Sequence, residues 1–422
     1  MPPRFRAPHR LPLVAALFLA GALTVLAAGV HNLDFSIYRA GARAFLGMDG
    51  PVALYDAQLW QVREDFWLPF TYPPFAVVFF LPYAVLPPAF GAAAHTVLLT
   101  GCLIAVSLLI VRRTPEIKRR LQVLPPRRRA LAIGVVVALI GLSAPWREGL
   151  SFGQINAVLM LIILWDLLEP GRFLPRGLLT GLAAGVKLTP LAMGLYFAAR
   201  KDWRAVLWMG TGFFGSVGIG FALTWQGAVH YWTEALFSTT RVGNDDDMYS
   251  LTLRAFTQRL GLSDGSAAAL WAVLCLAVIC GGYAAVRTLL AANDPLSAVG
   301  VTALVMLVIS PISWFHHWVW FVLLIPALVF PPGVSRRRKR RRKRRLRCGA
   351  GFLYLLFLFS SLTLSLAHSG TIRGWGPWWL ELASSVWMFA AIAAAGIITV
   401  NAAQAARGPA GSGAAAVPAH AG

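Results

Sequence analysis

Charged residues are scarce in this sequence, and acidic residues are scarcer than basic ones. Asp, Glu, Lys and Arg make up 13% of the 422 residues, about half the share found in an ordinary soluble domain. Hydrophobic residues make up 58%, which is more apolar surface than a soluble domain of this length can bury. Repeated apolar runs of roughly 18–25 residues therefore predict an all-α polytopic membrane protein.

Cysteine is also rare, which bears on disulfides and metal sites. The four cysteines, Cys102, Cys275, Cys280 and Cys348, lie in or beside apolar runs. None of them has zinc-type spacing with histidines, so the sequence predicts neither a disulfide framework nor a zinc site. We expect no metal ion or other cofactor.

The net charge of +21 is concentrated in one short run. The run RRRKRRRKRRLR, residues 336–347, lies between two apolar segments. A basic run in such a place is ordinary for a cytoplasmic loop and attracts anionic lipid headgroups. We therefore predict a cytoplasmic loop at 336–347 that contacts membrane lipids, and no nucleic-acid partner.

Basic residues also set the predicted topology. Arg4, Arg6 and Arg10 precede the first apolar run and place the N-terminus in the cytoplasm. Residues 30–72 then form the first extracytoplasmic loop of a multi-pass plasma-membrane protein. Roughly 10–12 hydrophobic segments form one transmembrane domain over residues 1–400, and a disordered Ala/Gly-rich tail is expected at 401–422.

Two of the hydrophobic segments are predicted to be irregular: the first is either a re-entrant half-helix or a steeply tilted element, and the second enters the membrane and returns to the side from which it came. Residues 72–86 are short for a span and are followed by two prolines. The stretch GLLTGLAAGVKLTPLAMGLYFAARKDWR has basic residues on both flanks, and Lys187 and Pro190 interrupt its centre. Proline ends a helix and frees backbone groups, and interrupted helices usually line a cavity. Lys187 is therefore expected at the tip of a broken helix.

The polar stretches of the chain all fall on the outer face in this topology, which predicts a functional site there. These stretches are 34–55, LPFTYPPF, WREGLSFGQIN, the tip at Lys187, TRVGNDDDMYS and SPISWFHHW.

Each candidate residue also has a plain structural explanation. Asp34 begins an interfacial helix, so it is either its N-cap or a catalytic base. Lys187 either snorkels to the interface or binds an anionic group. Gln154 and Asn156 either join helices or bind a sugar.

The aromatic and acidic motifs leave similar alternatives. Tyr72 in FTYPPF either accompanies a rigid kink or also touches a substrate. His316 and His317 lie in a tryptophan-rich interfacial belt and are either structural or donors to a phosphate or sugar hydroxyl. Asp245–Asp247 resemble a divalent-ion motif, although acidic loop residues are most often simply solvated.

Taken in order, the motifs resemble glycosyltransferase family 87, the polyprenyl-phosphate-mannose-dependent α-mannosyltransferases of mycobacteria and their relatives. The residues that carry the resemblance are Asp34-x-x-x-Tyr38, LPFTYPPF, GQIN, GVKLTP and SPISWFHHWVW, between about 30 and 330. The resemblance implies the GT-C fold, which is an integral membrane catalytic domain whose active site faces the extracytoplasmic side.

The resemblance also implies a reaction and the roles of residues. A β-linked mannosyl phosphopolyprenol would be the donor, a glycolipid or lipoglycan the acceptor, and an α-(1,2)-mannoside the inverted product. Asp34 would be the general base. The residues expected to bind the donor phosphate are Lys187, His316 and His317. Those expected to position substrate are Tyr38, Tyr72, Gln154 and Asn156.

Two other functions stay open at this point. A GT-C transferase that uses another lipid-linked sugar, such as glucose or arabinose, would carry similar motifs. A lipid or sugar transporter would share the broken helices, but it should also show internal repeats and charges through its inner half. Neither feature is evident in the sequence.

Overall fold

Helices make up most of the structure. The computed structural model describes residues 11–50, 53–55, 58–64, 66–169, 173–238, 249–331, 344–358 and 385–406. In the first half the helices are α1 (Leu11–Ala28), α2 (Leu33–Phe45), α3 (Val77–Val85), α4 (Pro88–Arg113), α5 (Pro115–Gln122), α6 (Pro126–Leu142), α7 (Ala144–Phe152), α8 (Asn156–Leu168), α9 (Leu178–Val186) and α10 (Gly194–Arg200). In the second half they are α11 (Trp203–Leu223), α12 (Trp225–His230), α13 (Leu253–Gln258), α14 (Asp264–Ala291), α15 (Pro295–Ile309), α16 (Ile325–Val329), α17 (344–358) and α18 (Val386–Ala406).

The prediction of an all-α polytopic membrane protein is confirmed. Within the described residues, five helices are long and apolar enough to span a membrane, namely α1, α4, α11, α14 and α18. Helices α6 and α7 together satisfy the same test but meet at an angle of 72°. Shorter apolar helices complete the bundle, among them α8 and α15.

Helices α1, α4 and α6 alternate in direction as the basic residues predict. Gly134 and Gly141 of α6 contact Ala16 and Thr24 of α1 in the same order, so these two helices run parallel. The end of α4 packs with the beginning of α1, since Leu108 joins the apolar cluster that also contains Leu13 and Leu17. Helix α4 is therefore antiparallel to α1, and the chain from α2 to α3 stays at one end of the bundle.

Helix α3 is too short to cross the membrane. It has nine residues, about 14 Å of helix against a hydrocarbon core of about 30 Å. A turn of 3₁₀ helix, Pro74–Ala76, precedes it. The prediction that this segment enters the membrane and returns is consistent with that length and with the antiparallel pair α1–α4.

The second predicted re-entrant segment is confirmed by the way α9 packs on α11. Gly177 faces Ala205, Gly181 faces Met209 and Gly185 faces Ser216, so both helices run in the same direction. The chain between them must therefore run away from the start of α9 and return to the same end of the bundle. Helix α9 ends at Lys187, the 3₁₀ segment Thr189–Met193 follows, and α10 returns.

Most of the ion pairs collect at the end of the bundle where α1, α6 and α11 begin. Arg113 pairs with Glu169 at 3.0 Å, and Arg119 and Arg120 both pair with Glu116. This end also carries the basic flanks that predict a cytoplasmic face. The opposite end receives α2, α7 and the tip at Lys187.

Three details differ from the sequence-based expectation. Strands Trp60–Arg63 (β1) and Phe66–Leu68 (β2) form an antiparallel hairpin inside the 30–72 loop. Helix α17 already includes residues 344–347 of the Arg-rich run, while 336–343 lie outside the described residues. Helix α18 continues to Ala406, beyond the expected start of the tail at 401, because the Ala-rich sequence favours helix.

The close approach of α9 and α11 gives a test of the fold. A methyl group on Gly181 would run into the backbone carbonyl oxygen of Met209, whereas one on Gly210 would meet open space. We expect Gly181→Ala to lower the free energy of unfolding by about 1–3 kcal/mol. Gly210→Ala should leave it unchanged or raise it, because alanine favours helix. Thermal unfolding in detergent measures both, and equal melting temperatures would contradict the packing.

Candidate active site

Segments from five distant parts of the chain meet at the end of the bundle opposite the ion pairs. They are the first turns of α2, residues 70–76, the turn from α7 into α8, the break after α9, and residues 310–317. The predicted site residues fall into two hydrogen-bonded groups. One contains Asp34, Tyr38, Tyr72 and Gln154. The other contains Asn156, Lys187 and His317.

The Gln154 side chain organises the first group. Its Oε1 accepts hydrogen bonds from the Tyr38 hydroxyl at 2.7 Å and the Tyr72 hydroxyl at 3.0 Å. Because Oε1 points toward the two tyrosines, the Nε2 group points away from them and donates to Asp34 Oδ2 at 2.8 Å. An ionised carboxylate only accepts hydrogen bonds, so this orientation of the amide is the one that satisfies all four groups.

Asp34 is not the cap of its helix. The N-cap is Asn32, whose backbone lies in the left-handed region at φ 55°, and Asp34 is the second residue of the helix. The alternative that Asp34 merely caps α2 is therefore wrong. The carboxylate is instead partly buried and faces Gln154.

The electrostatic surroundings of Asp34 suit a base. Burial raises the pKa of its carboxyl to about 6, while the positive charge of Lys187 and the Gln154 hydrogen bond act in the opposite direction. The carboxyl is thus mostly ionised at neutral pH, yet it takes up a proton more readily than an ordinary aspartate. Such a value lies near the optimum for general base catalysis.

Lys187 is the centre of the second group. Its Nζ donates to Asn156 Oδ1 at 3.0 Å and lies 3.1 Å from His317 Nε2. The Asn156 Nδ2 amide donates in turn to the backbone carbonyl of His316 at 3.1 Å. His316 and His317 belong to a 3₁₀ helix over residues 315–323 that is kinked at Trp318.

The structure separates the two neighbouring histidines. An ammonium group can only donate, so His317 Nε2 accepts from Lys187 and its proton is on Nδ1. The His316 ring packs edge-on against Phe152 and His317, at 5.3 and 4.7 Å between ring centres. Only the His317 side chain therefore forms a hydrogen bond with Lys187, whereas the His316 ring packs against the His317 ring.

Tyr72 connects the two groups. Its hydroxyl donates to Gln154, and its ring lies 5.7 Å from Lys187 Nζ. Among the described residues, neither Asp34 nor Lys187 has an oppositely charged side-chain atom within 4.0 Å. A carboxylate and an ammonium group thus face one site without forming a salt bridge.

The described residues contain no cluster of three or more His, Cys, Asp or Glu side chains that would hold a metal ion. The acidic motif Asp245–Asp247 lies outside them.

Comparison with known proteins identifies the family. The model of glycosyltransferase family 87 matches residues 70–311, which is more than half of the chain. The chain belongs to glycosyltransferase family 87.

Three curated mycobacterial proteins are similar over most of this family member. A polyprenol-phosphate-mannose-dependent alpha-(1-2)-phosphatidylinositol mannoside mannosyltransferase of Mycolicibacterium smegmatis is 34% identical over 336 residues, covering 76% of this chain and 75% of that protein. The Mycobacterium tuberculosis protein of the same name is 36% identical over 297 residues, or 69% of each chain. An M. smegmatis alpha-(1-2)-phosphatidylinositol pentamannoside mannosyltransferase, also polyprenol-phosphate-mannose-dependent, is 35% identical over 345 residues, covering 78% and 79%. No protein of solved structure matches the chain.

The family match covers only part of the site. Tyr72, Gln154, Asn156 and Lys187 lie inside the matched residues, whereas Asp34 precedes them and His317 follows them. The hydrogen bonds described above connect these flanking residues to the matched ones in this member of family 87.

Sequence reasoning missed a buried histidine beneath the site. His95 in α4 is 1% exposed, and its ring nitrogens contact the Gly153 carbonyl at 2.9 Å and the Tyr83 hydroxyl at 3.2 Å. It thereby fixes the backbone just before Gln154. An ionisable residue inside a hydrophobic helix is itself a signal, which could have singled out His95 in the sequence.

Removing one tyrosine hydroxyl tests the Gln154 arrangement. Tyr38→Phe leaves Gln154 Oε1 without its shortest donor in a fully buried place, so we expect a loss of about 1–2 kcal/mol of stability. The control is Tyr283→Phe on α14, because the Tyr283 hydroxyl has no hydrogen-bond partner among the described residues. Thermal unfolding should separate the two variants, and a Tyr38→Phe protein as stable as the control would disprove the arrangement.

Proposed function

We propose that this chain transfers mannose from a polyprenyl-phosphate-mannose donor to a glycolipid or lipoglycan acceptor, with inversion and an α-(1,2) product. The names of the relatives support this donor and make phosphatidylinositol mannosides the first acceptors to test. Membership of family 87 supports a lipid-linked donor for a membrane-embedded transferase.

The observation that carries the proposal is the separation of two opposite charges by two neutral amides. Gln154 holds the Asp34 carboxylate, and Asn156 holds the Lys187 ammonium group. Displacement at a sugar carbon needs a base beside the attacking hydroxyl group and a group that stabilises negative charge beside the leaving group. Both are present here, and Tyr72 lies between them.

In the proposed reaction Asp34 acts as the base. The acceptor hydroxyl oxygen forms a bond to C1 of the mannose while the bond between C1 and the phosphate oxygen breaks. The hydroxyl proton passes to the Asp34 carboxylate. A single displacement inverts C1, so a β-linked donor gives an α-linked product without an enzyme nucleophile.

Lys187 and the histidines serve the leaving group. The polyprenyl phosphate departs with the bonding electron pair and carries added negative charge, which the Lys187 ammonium group stabilises. The Nδ1 proton of His317 has no partner among the described residues, so it is available to a phosphate oxygen. We assign His316 a supporting role through its ring packing and its backbone carbonyl. Tyr38 and Tyr72 keep Gln154 in the orientation that positions Asp34.

We place the site at the extracytoplasmic face of the plasma membrane. The support is its position at the end of the bundle opposite Arg113, Arg119 and Arg120, because arginine-rich ends favour the cytoplasm.

The first test is Asp34→Asn. Asparagine keeps the shape and an oxygen that accepts from Gln154 but cannot take up the proton, so we expect transfer to fall by about a hundredfold or more. Membranes containing the full chain would be supplied with radiolabelled mannosyl phosphopolyprenol and a phosphatidylinositol mannoside extract, and labelled product would be counted.

The matched control is Asp49→Asn. Asp49 lies in the same loop, is 43% exposed and pairs with Arg43, so its loss should leave transfer unchanged within about twofold. Full activity of a normally inserted Asp34→Asn protein would remove Asp34 from the role of base. Absence of transfer by the unmodified chain would reject this donor and acceptor pair.

The pH dependence provides a second test. Because the base must be ionised and the pKa of Asp34 is about 6, kcat/KM should fall as the pH drops below about 6. The Gln154 hydrogen bond lowers that pKa, so Gln154→Met should move the acid limb to higher pH. An acid limb that stays in place in Gln154→Met would show that another group controls it.

A further inference from the structure

A cleft lies beside Lys187, and Asp34 is not among its lining residues. Its empty volume is about 360 Å³, which includes space open to solvent. Its polar lining residues are Asn156, Lys187, Thr189, Ser310, Ser313 and His317. Apolar side chains that include Met306, Leu307 and Trp320 complete the wall.

The composition of the lining favours an anion. Lys187 supplies a positive charge and three side chains supply hydroxyl groups, whereas no carboxylate is among these lining residues. Lys187 uses two of its three N–H donors on Asn156 and His317, so within the described residues one donor is left for a ligand. A phosphate group accepts hydrogen bonds from ammonium and hydroxyl groups.

Ser313 has a buried hydroxyl that no described residue satisfies with a hydrogen bond. The residue is 1% exposed, and its Oγ has no hydrogen-bond partner among the described residues. Leaving a polar group buried and unpaired is unfavourable. The neighbouring Ser310 differs, because its Oγ donates to the Ile312 carbonyl at 3.1 Å.

The backbone fixes Ser313 at the wall of the cleft. Its carbonyl accepts from the Leu251 N–H at 2.9 Å, and its N–H donates to Ser250 Oγ at 3.3 Å. An isolated β-bridge between Ser250 and Trp314 holds the next residue. The backbone of Ser313 is therefore held in place at the wall of the cleft that Lys187 and His317 also line.

We propose that Ser313 is a further binding residue, whose hydroxyl donates a hydrogen bond to the phosphate of an isoprenyl-phosphate ligand held by Lys187. The inference rests on the proposed function, since that function brings such a phosphate to the site. Ser313 would add a neutral hydrogen-bond donor to the site. Such a donor favours a phosphate group, whose oxygens accept hydrogen bonds in defined directions, over an anion that is recognised by its charge alone.

The test is the binding of farnesyl phosphate to the purified full chain. Ser313→Ala should weaken binding roughly tenfold, because it removes one hydrogen bond to a charged group. In the absence of ligand its melting temperature should be unchanged or higher, since the hydroxyl makes no bond within the described structure. Ser310→Ala is the contrast, and its melting temperature should fall because a buried hydrogen bond is lost.

Several results would overturn the inference. They are equal affinity of Ser313→Ala and the unmodified chain, a lowered melting temperature that accompanies the weaker binding, and no binding of farnesyl phosphate by the unmodified chain. Farnesol and inorganic phosphate serve as separate probes of the tail and the anion, and Ser313→Ala should weaken binding only of the ligands that contain phosphate. A chain that binds farnesyl phosphate through Ser313 but transfers no mannose would retain this site and reject the mannosyl donor.

Discussion

The site depends on keeping a carboxylate and an ammonium group apart in a partly buried place. Asp34 and Lys187 attract each other, and that attraction lowers the pKa of Asp34. A direct salt bridge would occupy both charges and leave neither for a substrate. Each charge is instead hydrogen-bonded by a neutral amide, which compensates part of its desolvation without neutralising it.

The fold achieves this separation with one short turn. Gln154 and Asn156 are two residues apart where α7 gives way to α8, so their side chains serve different partners. Gly153 makes the turn with φ 69°, and a side chain there would meet Phe35. The small residues of α9 and α11 then bring the tip at Lys187 to the second amide. The glycine contacts near the end that carries the ion pairs therefore help to set the position of a charge at the opposite end.

Much of this could be predicted from the sequence because polar residues in apolar runs are conspicuous. Asp34, Lys187, Gln154 and Asn156 stand out for that reason, and the Pro190 break and basic flanks predict the re-entrant segment. The partners were not predictable, since the bond from Gln154 to Asp34 joins residues 120 positions apart. The identity of the helix cap depends on the φ angle at Asn32, which no local pattern fixes. Which of His316 and His317 contacts Lys187 depends on the 3₁₀ helix over residues 315–323. The apolar sequence of that segment does not distinguish a 3₁₀ helix from an α-helix.

The two charges are also linked during the proposed reaction. Lys187 lowers the pKa of Asp34 through its positive charge. A donor phosphate bound to Lys187 adds negative charge beside it and offsets that influence. The Asp34 carboxyl therefore becomes more basic when the donor is in place, which is when its basicity is needed. By linkage, protonation of Asp34 favours phosphate binding to the same degree. The separation of the charges thus couples occupancy of the donor site to the strength of the base.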